Sequence, residues 1–430
     1  MKLHLWVVLL LACCVGHASA QEESGDSFSG ISGDSALSII NQPGADSTSF
    51  DGWDSSAVSE SPQVVSIGHS NNDFFYLHSL PDLPDAGHLL SFDLRSIQFT
   101  RDAEYFLPET KGYTAVGYFV QPTLRLNAST YDLVVEAGGQ FLGIAGDDHR
   151  LHVNPVFRLE YTPTSWLSLV GSTIYGNLNH GLYEPMYDFD RYFYNNQEDG
   201  FQIFVMKDTR HLRFTSDTWI NWENFLEPGE AEQEKFTVGS SNRLLLGNED
   251  RKTFQIPFDF VGTHRGGQFS SLDTCLETIF TACTGIDWAF TNHFRFTGLV
   301  FGYNNHSNEI HTPYKNGYGL YPMMAFYDKS FVLTAGYWYG NRYIASRGSY
   351  LFQSVSKYDP AFVQKERNMV TCKWFYSHGP FGMEAQTYYD LHEHKLDFSF
   401  GLYLKFNHSF GLLDEKKEEV VDKIENSVVP

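Results

Sequence analysis

The sharpest hint of covalent chemistry in the 430-residue chain is Asn305-His306-Ser307-Asn308-Glu309. A histidine within hydrogen-bond reach of a serine can take its proton and turn the hydroxyl into a nucleophile. Here His306 and Ser307 are adjacent, and neighbours on a strand point to opposite faces. The pair therefore needs a loop geometry to meet, with Asn308 beside it. His69-Ser70-Asn71 repeats the same order in a stretch without strand pattern, which argues for coincidence. A second set is electrostatic: Arg125, Arg158, Arg213, Arg295 and Lys405 against Glu136, Glu160, Asp217, Glu223, Asp259, Glu384 and Asp397. Lining one aqueous lumen, these charges would set up a transverse field that orients polar solutes; packed together they would pair into a structural network. A third set lies between His180 and Gly200. Tyr183, Tyr187 and Tyr192 could stack on sugar rings while Asp188, Asp190 and Arg191 bind hydroxyls, or the aromatic residues could simply pack on one another. His392-Glu393-His394 reads as solvated. With no CxxC pair, phosphate-binding glycine loop or dinucleotide fingerprint, neither metal nor cofactor is expected.

The elements that must position these residues are strands. Leu396, Phe398, Phe400, Leu402, Leu404 and Phe406 alternate with Asp397, Ser399, Gly401, Tyr403 and Lys405. Side chains alternate across a strand, so this stretch has one apolar and one polar face. The pattern recurs at 150–161, 211–223, 253–262 and 381–390, although Pro155 and Pro257 each remove a ladder donor. Short turns are expected near 127–130, 162–165, 207–210, 247–251, 291–292, 328–330 and 378–380. Between them fall longer connections at 103–111, 143–149, 177–199, 225–234, 263–277, 303–316, 342–364 and 391–394. Regular alternation of short and long connections predicts an all-β, transmembrane, antiparallel up-and-down β-barrel. It would have about sixteen strands (roughly fourteen to eighteen), short periplasmic turns and long extracellular loops.

Ser399 to Phe406 resembles the C-terminal signal of bacterial outer-membrane β-barrel proteins, with Ser399, Gly401, Leu404 and Phe406 at its key positions. That resemblance implies recognition by the outer-membrane assembly machinery. It departs from the usual pattern in that about twenty residues follow the terminal aromatic position. The His180–Gly200 connection is third among the long ones, the place of the loop that folds inward in porins. Resemblance to porins implies a channel for passive uptake of small polar solutes. The His306/Ser307 stretch is similar to outer-membrane lipases and lipid A deacylases, but those families separate the His and Ser by one residue. A lipid hydrolase and a scaffold barrel with a partner-binding tail are the alternatives.

Composition agrees with a barrel. Phe 36, Tyr 25 and Gly 36 favour strands and interfacial girdles, and beyond the leader no apolar run reaches the 18 residues of a membrane helix. The formal charge of −22 excludes nucleic acid as a partner, since phosphate binding needs Lys and Arg patches. Residues 1–20 read as a cleaved secretory signal ending in Ala18-Ser19-Ala20, with Cys13 as a competing lipidation site. Export to the bacterial outer membrane follows, with the lipid bilayer as the surrounding partner; the oligomeric state is not legible. Residues 21–84 read as a flexible Ser/Gly/Asp-rich segment, 85–410 as the barrel, and 411–430 as a charged periplasmic tail with helical spacing. Cys275 and Cys283 could pair in a connection or remain thiols.

Overall fold

The computed structural model describes residues 88–414, except 148–150, 194–196, 210, 226–232, 247–253, 267–276, 308–311 and 329. The expected leader, the Ser/Gly/Asp-rich segment, the tail beyond Asp414, Cys275 and Asn308 lie outside the described residues. Sixteen strands follow one another: β1 (His88–Glu104), β2 (Tyr113–Ala128), β3 (Leu133–Ile144), β4 (His152–Thr164), β5 (Leu167–Thr173) and β6 (Asp199–Thr209). Then come β7 (Leu212–Asn224), β8 (Lys235–Leu246), β9 (Phe254–Arg265), β10 (Glu277–Ala289) and β11 (Phe294–Asn305). The last five are β12 (Asn316–Tyr327), β13 (Phe331–Asn341), β14 (Glu366–His378), β15 (Phe381–Asp390) and β16 (Lys395–Asp414). Each pairs antiparallel with its neighbours in sequence, and β16 closes on β1 with Glu104 opposite Phe398 and His88 opposite Asp414. The connections alternate in length as expected, except that 391–394 is a tight turn on the long-connection side.

Alternation decides which way each side chain points. On β16, Asp397, Ser399 and Tyr403 are buried in the barrel while Phe400, Leu402, Leu404 and Phe406 are exposed on the outer wall. Phe157, Leu159, Ile203, Phe258, Val300, Leu320, Met324 and Val370 continue that exposed apolar band around the circumference. Such a band is stable only against hydrocarbon, and a closed barrel leaves no backbone edge unsatisfied there. Among the described residues no helix is long and apolar enough to cross a membrane. The final strand runs eight residues past Phe406, taking in Gly411–Asp414, which the sequence pattern places in the tail. Those residues pair with the start of β1, whose seventeen residues would otherwise present unpaired backbone to lipid.

Prolines enter the strands without breaking the barrel. At Pro122 the β2–β3 pairing jumps from Val120/Phe141 to Thr123/Gly138, while Pro122 stays opposite Leu94 of β1. Pro257 interrupts β9–β10 and keeps its place against Arg243 of β8. Pro322 interrupts β12–β13 and keeps its place against Gly298 of β11. Each missing N–H is thus absorbed on one side of the strand only.

Candidate functional site

Two connections fold into the lumen and pack against its wall. One spans residues 174–198, with 3-10 turns at Asn177–His180 and Phe189–Phe193; the other spans 342–365, with a 3-10 turn at Tyr350–Phe352. Their partners lie on strands all around the barrel, which only a segment crossing the interior can reach. Arg101 of β1 pairs with Asp190 at 3.1 Å, Arg243 of β8 donates to the Gly181 carbonyl at 2.7 Å, and Lys373 of β14 binds Glu184. Phe99 and Phe119 pack on Phe193 and Tyr192 with centroids 4.7 and 5.6 Å apart. In the second connection Tyr343 and Phe352 meet Trp338 edge-on at 5.1 and 5.2 Å, beside Phe301 and Tyr321. Edge-to-face contact is the arrangement the ring quadrupoles favour. Gly319 makes room for this cluster, since a Cβ there would sit 2.2 Å from the Trp338 ring.

The two connections are also joined to each other. The Tyr343 hydroxyl donates to the Pro185 carbonyl at 2.9 Å, the Ser349 amide to the Glu184 carbonyl at 3.1 Å, and the Asp188 amide to the Arg347 carbonyl at 2.7 Å. Arg347 in turn binds Glu223 of β7 and Thr237 of β8. The result is one packed plug.

At its centre lies His180, fully buried. Its Nδ1 is 2.8 Å from Asp217 of β7 and its Nε2 2.9 Å from Glu198, and its ring stacks on Trp219 at 3.5 Å with an 8° tilt. Trp219 fits because residue 239, opposite it on β8, is glycine; a Cβ there would lie 2.2 Å from the indole. Burial alone would lower the imidazole pKa, but Asp217 and Glu198 outweigh it and raise His180 to about 9. Burial works against Glu198 too, yet His180 and the Tyr187 hydroxyl hold it down at about 2. With both nitrogens occupied, His180 is a clamp between connection and wall. Further along, burial reinforced by Asp190 pushes Asp188 up to about 7.

The charges picked out in the sequence all sit on inward-facing strand positions. Glu136 joins Arg158 and Arg95, and it lies opposite Arg125 across the β2–β3 pair. Glu160 accepts from Ser168 at 2.8 Å and Tyr175 at 2.9 Å. Asp217 meets His180, Glu223 meets Arg347 and Lys235, Asp259 meets Arg243, and Glu384 meets Arg101. Asp397 accepts the Phe106 amide at 2.6 Å, Arg213 holds Asp208 at 2.6 Å near a short turn, and Arg295 lies 3.5 Å from Asp287. Lys405 stands opposite Ile97 in the β1–β16 pair. Tyr183, Tyr187, Arg191 and Tyr192 are buried in the plug, with Asp188 and Asp190 half-buried. Most partners were not legible. Arg95 and Arg101 lie on β1, whose outward residues Ser96, Gln98, Thr100 and Asp102 are polar too, so no apolar face marks the phase. Arg347 is in a connection, where alternation says nothing.

His306 and Ser307 do not meet. His306 is exposed, its ring edge-on to Phe280, while Ser307 is buried and its Oγ accepts the Thr278 amide at 3.0 Å. Cys283 faces inward and is buried, and Cys372 is exposed. Among the described residues no group of three or more His, Cys, Asp or Glu is arranged to hold a metal.

The outer wall carries a groove of about 1150 Å³ across β15, β16, β1, β2 and β3. It follows two adjacent cross-strand rows, Phe381–Leu404–Gln98–Tyr118–Gly143 and Leu402–Thr100–Val116, and ends at Gly146 and Asp147 beyond β3. The Asp147 carboxylate is 2.8 Å from Nε2 of His152, the first residue of β4. Both are partly exposed at the long-connection rim.

A closed sixteen-stranded barrel with an apolar outer band, short turns on one side and long connections on the other is an outer-membrane β-barrel protein. Within that class, the sequence model of the lipid A 3'-O-deacylase-type family matches residues 83–415, and the chain belongs to that family. No curated protein matches the chain. Among solved structures it is similar to the outer membrane protein OprD from Pseudomonas aeruginosa, at 9% identity and TM-score 0.46, covering 78% of this chain and 98% of that one. It is also similar to a loop-deletion mutant of OmpT from Vibrio cholerae, at 10% identity and TM-score 0.47, covering 74% and 100% of the two chains. A Salmonella typhi OmpF complex with daunomycin gives 10% identity and TM-score 0.44, covering 74% and 98%.

Proposed function

We propose that this barrel is a lipid hydrolase of the outer membrane, releasing a 3'-O-linked acyl chain from lipid A. Membership of the deacylase-type family motivates the reading. The observation that carries it is a place a bilayer substrate could occupy: the wall facing the membrane is grooved up to Asp147. A substrate held in the bilayer reaches such a groove without leaving the membrane. At its rim His152, oriented by Asp147, takes a proton from a water as that water attacks the ester carbonyl carbon. The bond from that carbon to the sugar oxygen breaks, the imidazolium returns the proton to the sugar oxygen, and the products are a fatty acid and a free hydroxyl.

The test is mass spectrometry of lipid A after incubation with the purified barrel in mixed micelles. Loss of one acyl chain, slowed at least a hundredfold by His152→Asn, is the expected result, within the usual contribution of about 10²–10⁴ from a general base. Intact lipid A after prolonged incubation with folded protein overturns the reading.

A second reading, a solute channel, is favoured by the inward-facing charges of both signs between the plug and the short turns. Sixteen strands are wide enough to leave an aqueous lumen. Conductance across a planar bilayer separates the two: stable steps support a channel, and silence from folded protein removes it.

A further inference from the structure

The inner face of the barrel changes character along its length. Toward the long connections the inward residues Phe99, Phe119, Trp219 and Trp338 are buried against the plug. Toward the short turns Arg125, Asn127, Phe204 and Met206 are half-buried and Ser377 is exposed. The interior thus opens as a cup on that side, which in outer-membrane barrels faces the periplasm. On the wall of the cup three guanidinium groups converge on one carboxylate. Glu136 binds Arg95 through Oε1 and Arg158 through Oε2, and the Thr123 hydroxyl also donates to Oε1 at 2.7 Å. Arg125 stands directly opposite Glu136 in the β2–β3 pair, but both oxygens are taken. Among the described residues Arg125 makes no hydrogen bond or ion pair. Arg158 is spent on the wall: its Nε donates to the Thr173 carbonyl at 2.9 Å and its guanidinium lies 3.9 Å from the centre of the Tyr175 ring. Arg95 keeps a donor in hand, because its Nε is buried without a partner. The neighbouring acids are withdrawn from the cup. Asp93 is fully buried and accepts the Ser409 hydroxyl at 2.6 Å, and Glu160 is buried under the hydroxyls of Ser168 and Tyr175. What meets water is the half-buried guanidinium of Arg125, with the unfilled Nε of Arg95 on the adjacent strand.

We infer that the cup binds a small phosphate-type oxyanion, held by Arg125 and Arg95. A guanidinium fork matches two oxygens of a phosphate, and such charge-assisted bonds are the strong kind. Lys405, diagonal to Arg95 across the β1–β16 pair, adds positive charge to the same wall. A carboxylate suits the site less well, since its single charge would leave one of the two guanidinium groups unmatched, and Glu136 already fills that role. The site lies inside the barrel, apart from the outer-wall groove, and so does not depend on the hydrolase reading. It also gives the lumen a use that needs no path through the plug.

The experiment titrates the purified full chain, in detergent at low ionic strength, with inorganic phosphate and separately with acetate. Binding is read by calorimetry, and heat-modifiable gel mobility shows that the barrel is closed. Wild type is expected to bind phosphate, and acetate more weakly. Arg125→Gln should weaken phosphate about tenfold or more, the worth of one charge-assisted hydrogen bond. Because Arg125 makes no bond to the wall, this variant should close as wild type does; should it not, Arg125→Lys carries the test. The lysine keeps the charge and loses the fork, so its affinity should fall between the other two. No phosphate binding by closed wild type, acetate bound as tightly as phosphate, or unchanged phosphate affinity in either closed Arg125 variant overturns the inference.

Discussion

Replacing His180 by leucine should release the plug from the wall. The imidazole sits between Asp217 and Glu198, and its loss leaves two buried carboxylates without the cation that bridges them. Removing one partner of a buried ion pair costs about 3–5 kcal/mol. Since about 1.4 kcal/mol is a factor of ten in an equilibrium, opening of residues 174–198 should become roughly a hundred to a few thousand times more frequent. The assay is hydrogen exchange on the folded barrel, following the amides from Leu178 to Tyr187, with heat-modifiable gel mobility showing that the barrel stays closed. The same clamp answers to pH. His180 is raised from 6.5 to about 9, so its contribution is complete below about 6.5 and is lost as pH rises through 9. Glu198 is lowered from 4.5 to about 2, so its contribution is present above 4.5 and is lost as pH falls through 2. Protection of these amides should therefore be greatest between pH 4.5 and 6.5 and decline by pH 9. Unchanged protection in His180→Leu, or protection still flat at pH 9, refutes the clamp.

Two further outcomes follow from the same geometry. Gly239→Val places a branched side chain where a Cβ already lies 2.2 Å from Trp219, so the indole must leave His180, and exchange in the plug should rise as in His180→Leu; unchanged exchange would show that the stack adds nothing. Ser307→Ala removes an acceptor from the Thr278 amide and should cost roughly 1 kcal/mol of stability, read by thermal unfolding, while leaving any lipid A hydrolysis at the wild-type rate; a loss of turnover in folded Ser307→Ala would return the serine to the chemistry.

The barrel was legible because lipid outside and a polar interior impose a period of two on every strand. Leu396–Phe406 shows that period without interruption, and turn residues space the rest, so sixteen strands could be counted before any were seen. Pro155 and Pro257 looked awkward because a sequence does not show that a strand can lose its ladder on one side and keep it on the other. The plug was hidden for a different reason. Its residues obey no period, and the pairs that seat it, Arg101 with Asp190 and Lys373 with Glu184, are brought together by closure of the whole sheet. The 174–198 connection betrayed itself by its aromatic residues, whereas 342–365 offered only its length. His180 stood in view at the edge of that loop, but its two acids come from β7 and from the last residue before β6. The groove was hidden because Gln98 and Thr100 simply weaken the alternation of β1.

The seam between β1 and β16 also dictates an order of assembly. The guanidinium of Arg101, on the first strand, touches Asp190 of the plug and Glu384 of the fifteenth strand. Partners so far apart in the chain can meet only when the two ends of the sheet come together, a late and entropically costly step. Seating the plug and sealing the wall thus share one residue: Arg101 gains one acid from the segment inside the lumen and the other from beyond the seam.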